Sequence, residues 1–280
     1  MPELPEVETV RRQLVEAIAG RRVARLEAPG KRVARRGSLA VGAVIGLPVT
    51  DVRRIGKFLI LALGDEYGLG IHLGMSGRLL LSGAGSQLER YTTFRLLFDN
   101  KSSVSLIDPR TFGEAWVSKL RAEPPYLDEI VGIGADLLDR EEAVVAALES
   151  AAFSRRSIKS VLLDQRVLAG LGNMYADEVL FRAGIHPETA AAAILAERAG
   201  EIVRESRVVV EQAIEAGGTT FRDRGYRDLR GDLGRNFRQL FVYQRDGLRC
   251  YLCGSRICRT RFQGRHSHWC PTCQGGGEWN

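Results

Sequence analysis

At 280 residues and 45% hydrophobic content, the chain is long enough for two ordinary domains with a cleft between them, rather than one domain and a disordered tail. Its net charge of +6 is segregated, with +6 on residues 1–60, −7 on 61–220 and +7 on 221–280; a merely soluble enzyme has no need of this, whereas a polyphosphate gripped by both ends rewards it through counterion release. The start, MPELPEVETV, has neither the basic residues nor the apolar core of a signal peptide, and no apolar run reaches membrane-spanning length, so a cytoplasmic protein with no membrane partner is expected.

Residues 3–19 predict an amphipathic helix: Val7, Val10, Leu14 and Ile18 fall at helical spacing, acids crowd the first turn, and Gly20 supplies a stop. From about 40 to 118 the pattern changes to short apolar runs broken by Gly, Asn and Pro: FLILAL (58–63), GIHLG (70–74), RLLLS (78–82), FRLLF (94–98), SVSLI (103–107) and EAWVS (114–118). Such a succession predicts an antiparallel sandwich. Residues 119–140, with EPPY and GIGADLL, read as a connector, and 141–150 and 157–216 carry Ala, Leu, Glu and Arg at helical period, so the second domain is mainly α. The arginine-rich stretch FRDRGYRDLRGDLGRN (221–236) has no apolar period and predicts a mobile basic loop. There is no internal repeat.

All five cysteines lie between Cys250 and Cys273. Cys250 and Cys253 form one C-x2-C pair and Cys270 and Cys273 a second, sixteen residues apart, which is the spacing of a ribbon-type four-thiolate site for one structural zinc. Two disulfides are disfavoured in a reducing compartment. A ligand set in which Cys258, His266 or His268 replaces one cysteine remains open, although Cys258 reads as a spare thiol. The intervening SRICRTRFQGRHSHW is basic with aromatic residues and predicts a phosphate-contacting hairpin, with Arg265 the candidate contact.

Met1 precedes Pro2, a small residue that permits removal of the initiator and leaves a free secondary amine. An α-amino group with a pKa near 8 is roughly 10–15% neutral at pH 7, against about 1 in 2,500 for a lysine. A secondary amine that attacks an anomeric carbon and opens the sugar gives an iminium with no removable proton on nitrogen, a permanent electron sink for elimination. Glu3, beside it, is placed to protonate the ring oxygen and then to move protons. The plain reading of PELPEVE is an acidic first turn matched to the helix dipole.

The whole chain resembles the formamidopyrimidine-DNA glycosylase family of base-excision enzymes, with their helix–two-turns–helix domain. The resemblance rests on PELPEVETVRR at the start, GKFL (56–59), HLGMSG (72–77), DPRTFG (108–113), DQRVLAGLGNMYADEVLFRAGIHP (164–187), GGTT (217–220) and the four cysteines, all in the family's order. It implies that Pro2 forms the Schiff base, Glu3 is the acid/base and Glu6 supports the site. By the same resemblance Lys57 and His72 contact phosphate near the lesion. Met75, Arg110 and Phe112 fill the space left by the extruded nucleotide, offsetting a few kcal/mol of unstacking. Asn173 binds phosphate together with Arg265, and the arginine-rich loop closes over the extruded base. Gly170 and Gly172 permit a close turn, Asn173 is expected to cap the following helix and Gly184 to end it. As a dinucleotide fingerprint this segment fails, because no strand precedes it and the third glycine is absent, so no nucleotide cofactor is expected.

The chain departs from the family pattern at YTTF (91–94), at GIGADLL, and at Cys258 and His266 in the finger. The expected fold is α+β. It comprises an antiparallel β-sandwich domain with flanking helices (1–135), a helical helix–two-turns–helix domain with the lesion-capping loop (136–240) and a β-hairpin four-cysteine zinc finger (241–280). The expected function is that of a monomeric, bacterial, nucleoid-associated bifunctional glycosylase/lyase. It would excise 8-oxoguanine and formamidopyrimidines from damaged double-stranded DNA through Pro2 and cleave the strand by β,δ-elimination. Three alternatives remain: a preference for oxidised pyrimidines, a non-catalytic zinc-dependent DNA-binding protein, and an RNA-binding zinc-ribbon factor.

Overall fold

The computed structural model describes residues 2–29, 41–83, 85–221 and 225–275. The chain divides into two compact units, Met1–Val131 with Ala213–Phe237, and Gly132–Gln212 with Arg238–Asn280.

The first unit opens with α1 (Leu4–Ile18), whose Val7, Val10, Leu14 and Ile18 are at most 1% exposed and form the stripe that their spacing predicts. There follow β1 (Val23–Glu27), a short α2 (Val41–Val44), β2 (Val49–Ile55), β3 (Phe58–Leu63), β4 (Tyr67–His72), β5 (Arg78–Ser82), β6 (Thr92–Phe98), β7 (Ser103–Ile107) and β8 (Glu114–Lys119). They build two four-stranded antiparallel sheets, ordered β1-β6-β7-β5 and β2-β3-β4-β8. Leu59, Leu61 and Leu63 of β3, Phe94, Leu96 and Phe98 of β6 and the α1 stripe share one core, as the inner faces of a sandwich do. Burying each such side chain contributes roughly 1.5–3 kcal/mol. The strand expected at 70–74 lies at 67–72, because Leu73 and Gly74 begin the turn that follows it.

The second unit contains β9 (Ala135–Asp136), α3 (Glu141–Glu149), α4 (Ile158–Leu162), β10 (Leu168–Ala169), α5 (Asn173–Arg182), α6 (Leu195–Glu215), β11 (Cys258–Phe262) and β12 (Arg265–Trp269). α4 and α5, joined by 163–172, form the helix–two-turns–helix element. β11 and β12 form a hairpin closed by Gln263 and Gly264, both at positive φ, as tight two-residue turns require. Phe181, Val242, Ile257, Cys250 and Cys270 make the small core beneath it. Among the described residues no helix is long and apolar enough to cross a membrane.

The boundary between the units falls in the last turn of α6, and Ala213–Phe237 groups with the first unit, where the sequence placed it in the helical domain. Two apolar residues hidden among the arginines explain this: Tyr226 is 5% and Leu229 0% exposed, and both join the core of the first unit. The stretch expected to be a mobile loop is therefore anchored from Tyr226 onward. Its residues 222–224 lie outside the described residues.

Candidate active site and nucleic-acid interface

In the first unit, Pro2 and Glu3 are buried immediately ahead of α1, with Glu3 as its N-cap. Glu6, three residues on and 1% exposed, folds back so that its Oε2 accepts the Glu3 N–H at 2.9 Å, one half of a capping box. Its Oε1 accepts the Thr219 N–H at 2.8 Å. One carboxylate thereby joins the start of α1 to GGTT, 213 residues away in sequence. Gly218 is required there: its φ is +84°, and a Cβ would stand 2.7 Å from the Tyr226 ring and 3.1 Å from Glu6 Cγ. Burial, then the Glu6 and Asp228 carboxylates, push the Tyr226 phenol well above its ordinary pKa, so it remains a neutral donor, bonded to the Glu6 carbonyl at 3.4 Å.

Lys57 sits half-buried in the tight turn between β2 and β3. His72 ends β4 directly across from Phe58, with ring centroids 4.8 Å apart, so Lys57 and His72 share one end of the sheet. The His72 Nδ1 accepts the Gly74 N–H at 3.3 Å. Arg54 reaches the same turn by donating to the Gly56 carbonyl at 2.8 Å while pairing with Glu8 of α1 at 3.1 Å.

Met75, Arg110 and Phe112 are brought together by a residue that sequence reasoning left without a role. Asp108 is 0% exposed; its Oδ1 accepts from the Ser76 hydroxyl at 2.6 Å and the Arg110 N–H at 3.1 Å, and its Oδ2 from the Gly113 N–H at 2.6 Å. The Gly-Met-Ser-Gly and DPRTFG turns are thereby locked side by side. Gly74 sits at φ +63°, where a Cβ would press 2.6 Å from the Phe112 backbone. Above this support Met75 and Phe112 stay 47% and 41% exposed, and the Arg110 guanidinium lies 5.0 Å over the Phe112 ring. Large apolar side chains held out by a buried carboxylate suit insertion into a base stack.

In the second unit, Asn173 is not the cap that the sequence predicts. Gly172 occupies that position and Asn173 is the first helical residue of α5, so its Nδ2 is spent on the His266 carbonyl at 2.9 Å. Arg265, exposed at the first position of β12, is the neighbour of His266, so Asn173 and Arg265 meet at the hairpin turn. Gly184 does end the helix, at φ +64°.

Two further residues missed in the sequence support the turn. Lys159 of α4, 2% exposed, donates to the same His266 carbonyl at 3.0 Å and to Ser267 Oγ at 2.8 Å, and pairs with Asp177 of α5 at 2.6 Å. The other Asp177 oxygen accepts the His268 N–H at 2.9 Å and lies 3.1 Å from the His268 ring. A charge this deep persists only when paired on every side. Glu178, next to Asp177, accepts the N–H groups of Phe241, Val242 and Tyr243 at 2.8–2.9 Å, holding the bend that leads into the finger.

The Sγ atoms of Cys250, Cys253, Cys270 and Cys273 all lie within 4.8 Å of one another, with Cys250 to Cys273 at 3.9 Å and Cys253 to Cys270 at 3.4 Å. A tetrahedral four-thiolate zinc with bonds of about 2.3 Å sets its sulfurs about 3.8 Å apart, so the donor set and spacing fit such an ion. Cys258 stands outside the cluster, opposite Trp269 in the hairpin, and His268 is engaged with Asp177.

The chain is similar to known proteins over most of its length. Residues 1–115 match the Formamidopyrimidine-DNA glycosylase N-terminal domain and 133–224 the Formamidopyrimidine-DNA glycosylase H2TH domain. The chain is 39% identical over 279 residues to a formamidopyrimidine-DNA glycosylase of Salinispora arenicola, covering 98% of this chain and 96% of that one. It is 37% identical over 288 residues to one of Corynebacterium jeikeium, covering 98% and 100%. Among solved structures it resembles the MutM (FPG) protein of Thermus thermophilus, with TM-score 0.87, 35% identity and 99% and 100% coverage. It also resembles a Lactococcus lactis FPG mutant in complex with Fapy-dG-containing DNA, with TM-score 0.86, 30% identity and 98% and 100% coverage. The chain belongs to the formamidopyrimidine-DNA glycosylase family.

Proposed function

We propose that this glycosylase excises oxidised purines such as 8-oxoguanine and formamidopyrimidines through a Schiff base on Pro2, then cleaves the strand by β- and δ-elimination. The observation that carries the reading is the Glu6 carboxylate, which binds the Glu3 and Thr219 N–H groups at once and so fixes the chain's first residues against the GGTT turn. Glu6 has both oxygens engaged. Glu3, whose own carboxylate takes the Glu6 N–H in the other half of the capping box, stands next to the amine and is the proposed acid.

Once Met1 is removed, the Pro2 nitrogen bonds to C1′ of the flipped nucleotide as the glycosidic bond breaks and the base leaves with its electron pair. Glu3 protonates O4′ as the ring opens, giving the iminium. Loss of a C2′ proton sends electrons toward the iminium and expels the 3′-phosphate; a second elimination expels the 5′-phosphate, and hydrolysis releases the amine. Lys57 and His72 serve as phosphate contacts at one end of a sheet, and so do Asn173 at the start of α5, through the amide N–H not given to the His266 carbonyl, and Arg265 beside the hairpin turn. A flexible ammonium or guanidinium suits such work. Met75, Arg110 and Phe112 fill the vacated stack.

One zinc on the four cysteines is structural: it closes the two turns that hold the hairpin and takes no part in the chemistry. The enzyme acts as a monomer, on duplex DNA, in the cytoplasm, without a nucleotide cofactor. The three-part division at 1–135, 136–240 and 241–280 remains the proposed assignment of catalytic, helical and finger roles.

Borohydride trapping on a duplex with 8-oxoguanine opposite cytosine tests the chemistry. The wild type is expected to give a covalent protein–DNA adduct that Pro2→Gly loses or strongly diminishes. An adduct of equal yield from Pro2→Gly would refute the assignment of the nucleophile.

A further inference from the structure

Besides its core stripe, α1 carries a second face. Glu6, Thr9, Gln13 and Glu16 are spaced three or four residues apart and line one side of the helix. Each meets the segment that leaves GGTT. Glu6 takes the Thr219 N–H, and Thr9, whose hydroxyl donates to the Pro5 carbonyl at 2.8 Å, lies beside the Tyr226 phenol. Gln13 makes a two-point contact: its Nε2 donates to Asp228 Oδ2 at 2.7 Å while its Oε1 accepts the Leu229 N–H at 2.9 Å. Glu16 pairs with Arg230 at 2.7 Å, but both side chains are more than half exposed, so this pair contributes little.

The Gln13 contact is the directional one. Asp228 is 8% exposed, and its Oδ1 accepts the N–H groups of Arg230 at 3.0 Å and Asp232 at 2.8 Å, so the carboxylate both shapes the turn and presents its other oxygen to the helix. The foot of the segment is closed by Thr220, whose hydroxyl donates to the Tyr226 carbonyl at 2.9 Å and accepts the Gly234 N–H at 2.9 Å. That foot stands one carboxylate, Glu6, away from the Glu3 N–H. The helix that begins beside the reacting amine therefore also holds, three turns later, the Asp228–Leu229 part of the segment whose foot lies against Glu6.

We propose that Gln13 is a positioning residue for base excision: acting through Asp228, it sets the register of the backbone beside Pro2 and Glu3 against which the departing base is held. The inference rests on the proposed Pro2 chemistry. It makes a distinction between substrates, because an abasic site has no base to hold and its cleavage draws only on Pro2, Glu3 and the phosphate contacts.

The test is a double-mutant cycle read on two duplexes, one with 8-oxoguanine opposite cytosine and one with a preformed abasic site. Gln13→Glu sets two carboxylates against each other, and Asp228→Asn leaves the Gln13 amide facing a donor on one side or the other. Each single substitution is expected to slow single-turnover release of 8-oxoguanine by about tenfold, the scale of one buried polar contact, with abasic-site cleavage unchanged. Combining the two restores release, because the carboxylate at 13 accepts from both the Leu229 N–H and the amide at 228, whose oxygen keeps Arg230 and Asp232. Single variants that release the base at the wild-type rate, equal losses on both duplexes, or a double variant no better than the worse single would overturn the proposal. A wild-type chain that cleaves neither duplex would instead bring down the Pro2 reading, and this inference with it.

Discussion

Asp108 carries no reacting atom, yet three hydrogen bonds from Ser76, Arg110 and Gly113 end on it in the interior. Asp108→Ala strands the buried Gly113 N–H, the part-buried Arg110 N–H and the Ser76 hydroxyl, a loss of about 2–4 kcal/mol expected in urea unfolding. Phe112, exposed above it, should behave oppositely: Phe112→Ala is expected to leave stability within about 0.5 kcal/mol while slowing excision from duplex DNA. Equal stability losses would contradict the division between support and wedge. Glu8 offers a test in pH. Burial raises its carboxyl, but hydrogen bonds from Arg11 and Arg12 and the charges of Arg11 and Arg54 outweigh burial and hold it at about 2, below its ordinary 4.5. A carboxyl depressed by folding stabilises the native state above its ordinary pKa, and the contribution is lost as pH falls through the folded value. The stability gap between wild type and Glu8→Gln is therefore expected to be full near neutrality and to close as pH drops from about 4.5 to about 2. A gap constant across that window would remove the ion cluster from the account. Pro2 and Glu3 stood out only through the family resemblance, whereas the four-cysteine cluster was legible because it depends on local spacing. Asp108, Lys159, Asp177 and Gln13 were not, because each has a partner 32, 107, 91 or 215 residues away.

Among elements, α1 and six of the strands follow from periodicity, but β1 and β2 were not read as strands. Both contain register shifts, at Val23/Arg25 and Val49/Asp51, and their buried positions fall three apart, Val23 and Leu26, then Val49, Val52 and Ile55, where an unbroken strand alternates by two. A bulge moves the chain past one partner, and the sequence signal moves with it. α1 was legible on its apolar face only; the Glu6–Gln13 face is polar and looks like any solvated surface until its partner is seen. At the β11–β12 hairpin, Arg265→Ala is expected to weaken duplex binding regardless of sequence and to lower the salt slope by about one. Removal of zinc by a chelator should release one ion per chain and abolish retention on duplex DNA, since the hairpin rests on the four thiolates. A chain that loses its metal and binds as tightly as before would show that the finger is dispensable.

Taken whole, the basic ends and acidic middle correspond to contacts proposed for Lys57 near one end and Arg265 near the other. The matched relatives span nearly the whole chain, and the Gln13–Asp228 contact is a feature of this molecule's own structure. The proposed chemistry turns on which amine joins the sugar. The chain has only five lysines, of which Lys159 is buried in a salt bridge and Lys57 stands at a proposed phosphate contact. Peptide mapping by mass spectrometry of the borohydride-reduced adduct decides among these and the amino terminus. Attachment is predicted at the nitrogen of Pro2, on a chain lacking Met1. Attachment at Lys57 or any other lysine, or full turnover by protein that retains Met1, would contradict it.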